Sequence, residues 1–150
     1  MKQIVFLTPM NKIAIQAQNQ KITKVSLNSE LDLQDTDDEL LQLAKSQFLE
    51  YFDKQRQEFS LPYSFTRSEF DTKVYNYLST IPFGSTISYK DLAIAVNHPK
   101  AARAVGRAMN TNELAIIIPC HRVIGSNGKL VGFAGGLALK RQLLNLESNS

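Results

Sequence analysis

Hydrophobic alternation with a period of two runs through the first 26 residues and then gives way to helical spacing. Ile4 to Leu7, Ile13 to Ala17 and Ile22 to Leu27 alternate in the manner of strands, with Asn11-Lys12 and Asn19-Gln20-Lys21 between them as turn candidates. A small antiparallel meander is therefore predicted at the start. Ser29 to Asp38 is polar and acidic and reads as a loop. Thr36 with Glu39 reads as a capping box, after which Leu41, Ala44, Phe48 and Phe52 fall on one helical face. Residues 57–67 hold no sustained period and contain Pro62, so a domain boundary is placed there.

Helical patterns dominate from there to residue 112. Ser68 with Asp71 can cap a helix carrying Phe70, Val74 and Leu78, and Ser88 with Asp91 can cap another over Tyr89 to Val96. Pro99 suits the first turn of a third, running to about Met109. Two short helices joined by Asn97-His98-Pro99 read as a helix-turn-helix. The apolar run Leu114 to Ile118 reads as a strand ended by Pro119. Val123-Ile124 and Leu130-Val131 flank Ser126-Asn127-Gly128-Lys129, a hairpin signal. A last helix runs from Leu137 to about Leu146.

At 150 residues and 16.8 kDa there is room for one or two small domains. Composition that is 43% hydrophobic and 21% charged excludes a disordered or collagen-like chain. Ile4 to Leu7 is too short for a signal-peptide core, and no stretch approaches the ~20 apolar residues of a membrane span. A soluble protein of a reducing compartment, the cytoplasm, is expected. The net charge of +3 is uneven. Residues 1–60 carry seven Lys/Arg against nine Asp/Glu, whereas residues 61–150 carry ten against five. The second part is a candidate for an anionic partner.

Two features sharpen that expectation. Lys100, Arg103 and Arg107 share one face of the third predicted helix, opposite Ala101, Val105 and Met109, with the small residues Ala102 and Gly106 between the basic positions. Such a helix suits a DNA groove, and equally an ordinary amphipathic helix with solvated arginines. The only cysteine, Cys120, excludes an intrachain disulfide and any multi-cysteine zinc cluster. A lone cysteine is commonly inert packing. Here it sits in Ile118-Pro119-Cys120-His121-Arg122, beside two side chains whose positive charge would lower a thiol pKa toward neutrality. On an extended chain His121 would point to the opposite side, so proton transfer from Cys120 would need a bend or a bridging water.

Ile118-Pro119-Cys120-His121-Arg122-Val123-Ile124, then Gly132-Phe133-Ala134-Gly135-Gly136-Leu137 and Lys140, Leu143-Leu144 and Glu147, resemble the methylated-DNA–protein-cysteine methyltransferases, the O6-alkylguanine-DNA alkyltransferase family. The likeness extends upstream through Ile81-Pro82-Phe83-Gly84, Ser88-Tyr89 and Lys100 to Gly106, as far as Asn112. It implies a ribonuclease-H-like α/β domain over 1–60. A mainly helical, winged helix-turn-helix-like domain over 68–150 would carry the active site. It implies irreversible transfer of an alkyl group from guanine O6, or from O4-alkylthymine, in flipped-out double-stranded DNA to Cys120. His121 and Glu147 match the family's activating pair, which works through a water. Tyr89 matches the proton donor to the departing guanine, and Asn112 the tie between active-site turn and recognition helix.

Val123, Phe133 and Ala134 match the guanine pocket. Arg103 matches the residue that replaces the extruded nucleotide, with Ala102, Lys90, His98 and Lys100 as further DNA contacts. No cofactor and no metal are implied, and a monomer is expected. Departures are Phe133 for the commoner tyrosine, Glu113 for proline, Asn110 for a basic residue, Asp71-Thr72 for a Gln-containing start, and Tyr75 for tryptophan. The alternative is a non-catalytic helix-turn-helix protein that binds alkyl lesions. Proteins of that kind carry another residue, often tryptophan, in place of the cysteine. A winged-helix transcription regulator with an incidental thiol would explain the basic helix but not the Pro-Cys-His-Arg turn.

Overall fold

A computed structural model describes residues 1–133 and 135–148. The opening pattern forms three antiparallel strands, β1 (Lys2–Leu7), β2 (Lys12–Gln18) and β3 (Lys21–Ser26), with β2 central. Register pairs Ile4 with Ile15 and Phe6 with Ile13. A bulge at Gln16/Ala17 lets Val25 pair with Ile15 and Ile22 with Ala17. Strict alternation fails on β1 and β2, where Ile4, Val5 and Phe6 and then Ile13, Ala14 and Ile15 are buried in succession, so side chains on both faces of these strands are removed from water.

Helix α1 (Glu39–Phe52) lays Leu41, Ala44, Phe48 and Phe52 toward the core together with Gln47 and Tyr51. Its cap is Asp38 and not the predicted Thr36. The Asp38 carboxylate accepts from Leu41 N at 3.0 Å, while Thr36 Oγ1 accepts from Asp38 N one step earlier. Glu39 is already the first helical residue, so it cannot reach back to close a box; a carboxylate at this end also complements the helix dipole.

The chain divides into two compact units, Met1–Phe65 with Glu113–Ala115, and Thr66–Asn112 with Ile116–Ser150. Glu113–Ala115, inside the stretch expected in the second domain, thus belong to the first, where Val25 N donates to Glu113 O. The second unit contains α2 (Glu69–Leu78), β4 (Ile87–Ser88), α3 (Tyr89–Ala95), α4 (Ala102–Asn110), β5 (Val123–Ile124) and α5 (Leu137–Ser148). Ser68 caps α2 through Asp71 N at 3.0 Å, and Ser88 caps α3 through Asp91 N at 2.9 Å. Helices α2, α3 and α4 pack on one another through Val74, Leu78, Leu92, Val105 and Met109.

Three local expectations are corrected. Helix α4 starts at Ala102, so Pro99 lies in the preceding turn; Asn97 at φ 66 ends α3, and Ala101 N bonds back to His98 O. Leu114 to Ile118 is no strand: Ile116 takes φ 72, a costly geometry for a β-branched residue. Val123-Ile124 pairs in parallel with β4 and not with residues 130–131, leaving Gly125 to Lys129 as a turn closed by Gly125 N to Lys129 O at 2.8 Å. Among the described residues no helix is long and apolar enough to cross a membrane, and no group of three His, Cys, Asp or Glu could hold a metal ion.

Candidate active site

Cys120, His121 and Arg122 form a single 3-10 turn entered through Pro119, whose φ of −80 and ψ of 64 break the extended direction. The chain there is bent and not extended, so Cys120 and His121 are not thrown to opposite faces as in a strand. Cys120 N donates to Ile118 O at 2.7 Å, and Asn112 Nδ2 donates to the same oxygen at 2.9 Å. Asn112, two residues past the end of α4, thereby closes the irregular segment that delivers the cysteine. Its amide also reaches the cysteine sulfur.

Cys120 is 5% exposed. Burial pushes its thiol above the ordinary value; the Asn112 amide, the Lys140 charge and the cysteine's own N–H oppose this without cancelling it. The sequence expectation of a thiol lowered by its cationic neighbours is therefore corrected for the resting protein. Arg122 is spent elsewhere. Its Nε and Nη2 donate to Glu147 Oε1 and Oε2 at 2.8 and 3.0 Å, and its Nη1 donates to Ile81 O at 2.7 Å.

His121 has no solvent exposure, and its Nε2 lies 2.6 Å from Glu147 Oε2. An ionised carboxylate only accepts, so Nε2 carries the proton. Burial holds the imidazole below its ordinary value although Glu147 favours the charged form, and Arg122 and Lys140 lower it further. The neutral ring then presents a lone pair at Nδ1, which is buried without a hydrogen-bond partner among the described residues. That atom is a base facing no competing donor.

Buried Lys140 and half-buried Tyr89 complete the surroundings. Lys140 of α5 has no exposed surface and donates Nζ to Val131 O at 3.0 Å and Gly132 O at 3.1 Å. Burial brings its ammonium down to about 8, while the cysteine raises it. Tyr89, first residue of α3, donates its hydroxyl to Val131 O at 2.6 Å and accepts from Lys140 Nζ at 3.5 Å. Burial and Cys120 both raise the phenol. Val123 is buried directly after the turn, and Phe133 is half-buried against Gly135. Ala134 lies outside the described residues.

The structure thus gathers Cys120, His121, Glu147, Tyr89 and Asn112 around one turn, although Glu147 is 26 residues from His121. Sequence reasoning missed Arg122 as the holder of Glu147 and Lys140 as a buried charge. Their signal was only that both belong to the matched motif, since a Lys or Arg is ordinarily read as solvated. The DNA-contact candidates lie apart from the thiol. Arg103 is exposed on α4 beside half-buried Ala102, Lys90 and Lys100 are exposed, and His98 is exposed with its ring edge on Phe70.

Comparison with known proteins identifies the family. The family profile described as 6-O-methylguanine DNA methyltransferase, DNA binding domain, matches residues 69–149, and the ribonuclease-like domain of the same name matches residues 1–65. The constitutive methylated-DNA–protein-cysteine methyltransferase of Bacillus subtilis is 42% identical over 150 residues, covering 93% of this chain and 91% of its own. The Mycobacterium tuberculosis O6-methylguanine methyltransferase superposes with a TM-score of 0.88 at 33% identity, over 98% of this chain and 92% of that one. A structure of Mycobacterium tuberculosis OGT in complex with DNA gives 0.89 at 34% identity, over 97% and 91%.

Proposed function

Because the chain belongs to the 6-O-methylguanine DNA methyltransferase family, we propose that it repairs DNA by moving an alkyl group from guanine O6 onto its own Cys120. The observation that carries this reading is the buried turn Cys120–Arg122, in which the chain's single cysteine directly precedes a neutral imidazole held by Glu147. The resting thiol is protonated because burial disfavours the thiolate. The Nδ1 atom of His121 takes the proton, through a water, and Glu147 stabilises the imidazolium that results. The sulfur attacks the alkyl carbon; the S–C bond forms as the C–O6 bond breaks. Tyr89 supplies a proton to the departing guanine, which balances the one His121 accepts. Lys140 places positive charge beside both the forming thiolate and the phenol.

The thioether leaves no route back to the thiol, so each molecule reacts once. A base inside a duplex cannot reach a buried sulfur, and the nucleotide must therefore be flipped out. Arg103, exposed on α4, fills the gap, and Ala102 and Gly106 allow close approach to the minor groove. Lys90, His98 and Lys100 meet the phosphates. Val123, Phe133 and Ala134 form the guanine pocket, in which Phe133 stacks without offering a hydroxyl. The unit Thr66–Asn112 with Ile116–Ser150 is the reactive one, and the N-terminal domain serves as scaffold or as a partner surface. The protein acts as a monomer without cofactor or metal. The cytoplasm, a reducing compartment where a lone thiol stays reduced, is the location this reading favours.

Incubation with duplex DNA containing O6-methylguanine, followed by mass measurement, tests this. One methyl, about 14 Da, is expected on Cys120 and none on Cys120→Ser. Retention of the DNA by an unmodified wild-type chain would establish a lesion-binding protein instead.

A further inference from the structure

The last turn of α4 is held by two side chains, Tyr75 of α2 and Arg67, which directly precedes the Ser68 cap of that helix. Tyr75, 2% exposed, donates its hydroxyl to Ala108 O at 2.7 Å. That carbonyl belongs to the final helical turn, where no intrahelical donor follows. Arg67 lies over the Tyr75 ring, 5.7 Å from its centroid. The guanidinium donates to Thr111 O at 3.1 Å and to Thr111 Oγ1, and is aimed by Asp71 Oδ2 at 3.1 and 3.0 Å. Thr111 Oγ1 donates in turn to Arg107 O at 2.8 Å.

Thr111 directly precedes Asn112, the residue that holds Ile118 O and reaches the Cys120 sulfur. A helix of nine residues frays at an end whose carbonyls lack donors, and fraying here would misplace the Asn112 amide. We propose that Arg67 and Tyr75 are positioning residues for alkyl transfer: by gripping Thr111 and Ala108 they fix Asn112, and through it the reactivity of Cys120. This rests on the alkyl-transfer reading above. Other charged or titratable groups bear on the thiol from Lys140 on α5, Tyr89 on α3 and Tyr75 itself on α2, with His121 and the Arg122–Glu147 pair alongside. Arg67→Ala and Tyr75→Phe leave all of these but the Tyr75 hydroxyl in place.

Because Cys120 is the chain's only cysteine, iodoacetamide uptake reports it alone. The rate of uptake is measured against pH in wild type, Arg67→Ala, Tyr75→Phe and Thr111→Ser, beside single-turnover reaction with the free base O6-benzylguanine. Both Arg67→Ala and Tyr75→Phe are expected to move the pH midpoint up by about one unit, which is about tenfold less thiolate at fixed neutral pH. They should slow the benzylguanine reaction alike, while Thr111→Ser, which keeps its hydroxyl, follows wild type. Lower thermal stability with an unmoved midpoint, or faster uptake, would reduce the two side chains to helix supports and overturn the proposal. A wild-type chain that takes up iodoacetamide but no methyl from O6-methylguanine in duplex DNA would overturn the alkyl-transfer reading, and the positioning role with it.

Discussion

Arg122 grips Glu147 with two nitrogens, Nε to Oε1 at 2.8 Å and Nη2 to Oε2 at 3.0 Å, so the carboxylate that orients His121 is itself held in place. The side chain of Glu147 is 1% exposed, and a single rotation of its carboxylate would cost bonds to both partners. The pairing converts a flexible acid near the end of α5 into a fixed acceptor.

Removing the guanidinium is therefore expected to act on stability and on chemistry. Arg122→Ala leaves a buried carboxylate partly unpaired and should cost about 3–5 kcal/mol in denaturant unfolding. Arg122→Lys keeps a charge but loses the two-pronged geometry. It should slow methyl transfer by about tenfold to a hundredfold, a share of what a well-placed general base supplies.

Acid should destabilise the protein before its carboxylates titrate. Burial lowers the folded-state pKa of His121 below its ordinary 6.5, so below that value the unfolded chain binds the extra proton first. The contribution of neutral His121 is present above about 6.5 and is lost as pH falls through the window beneath it. Urea midpoints measured from pH ~7.5 to ~5 should fall, and His121→Asn should flatten that slope even if it lowers the midpoint throughout.

Gly106 separates stability from DNA approach. A methyl group there meets no atom within 4 Å in the free protein. Gly106→Ala should raise stability by about 0.5–1 kcal/mol, because alanine holds a helix better than glycine. The same methyl would stand between α4 and the groove, so affinity for duplex DNA should fall severalfold in a fluorescence titration. A matching loss of stability would place Gly106 in the core.

Arg103→Ala should spare the chemistry and impair flipping. Repair of duplex DNA is expected to fall about 100-fold, whereas reaction with free O6-benzylguanine stays within about twofold of wild type. Binding of undamaged duplex should weaken steeply with added salt for both proteins, since phosphate contacts carry it.

Lys140 joins the pocket loop to the thiol through Val131 O and Gly132 O. Lys140→Met should release the loop and remove the charge beside Cys120. Transfer from both DNA and free base is expected to slow about tenfold or more. Faster amide exchange over residues 131–133 would accompany it; unchanged exchange would leave only the electrostatic role.

Much of this is legible in the sequence. The strands of the first unit, the Ser68 and Ser88 caps and the apolar face of α1 are short-range patterns, each written within a few neighbouring residues. The errors were local as well. Thr36 lost the cap to Asp38, whose carboxylate stood two residues nearer the helix, and the Asn127-Gly128 turn formed without a hairpin ladder because Val123 and Ile124 paired with Ile87 and Ser88 instead. Pairing of that kind depends on which strand lies alongside, and neighbours in sequence do not specify it.

Taken alone, the sequence determined the three opening strands, most of the helices, the lone thiol and the motif around it, because a thiol between proline and histidine is a covalent fact. Tertiary structure decided the chemistry of that atom. Burial raised the Cys120 thiol where its cationic neighbours suggested the reverse, lowered His121 and Lys140, and made Glu147 the common partner of His121 and Arg122. Protonation in a site depends on how much water is excluded and on which charges arrive from distant parts of the chain, and both exist only once the chain is folded.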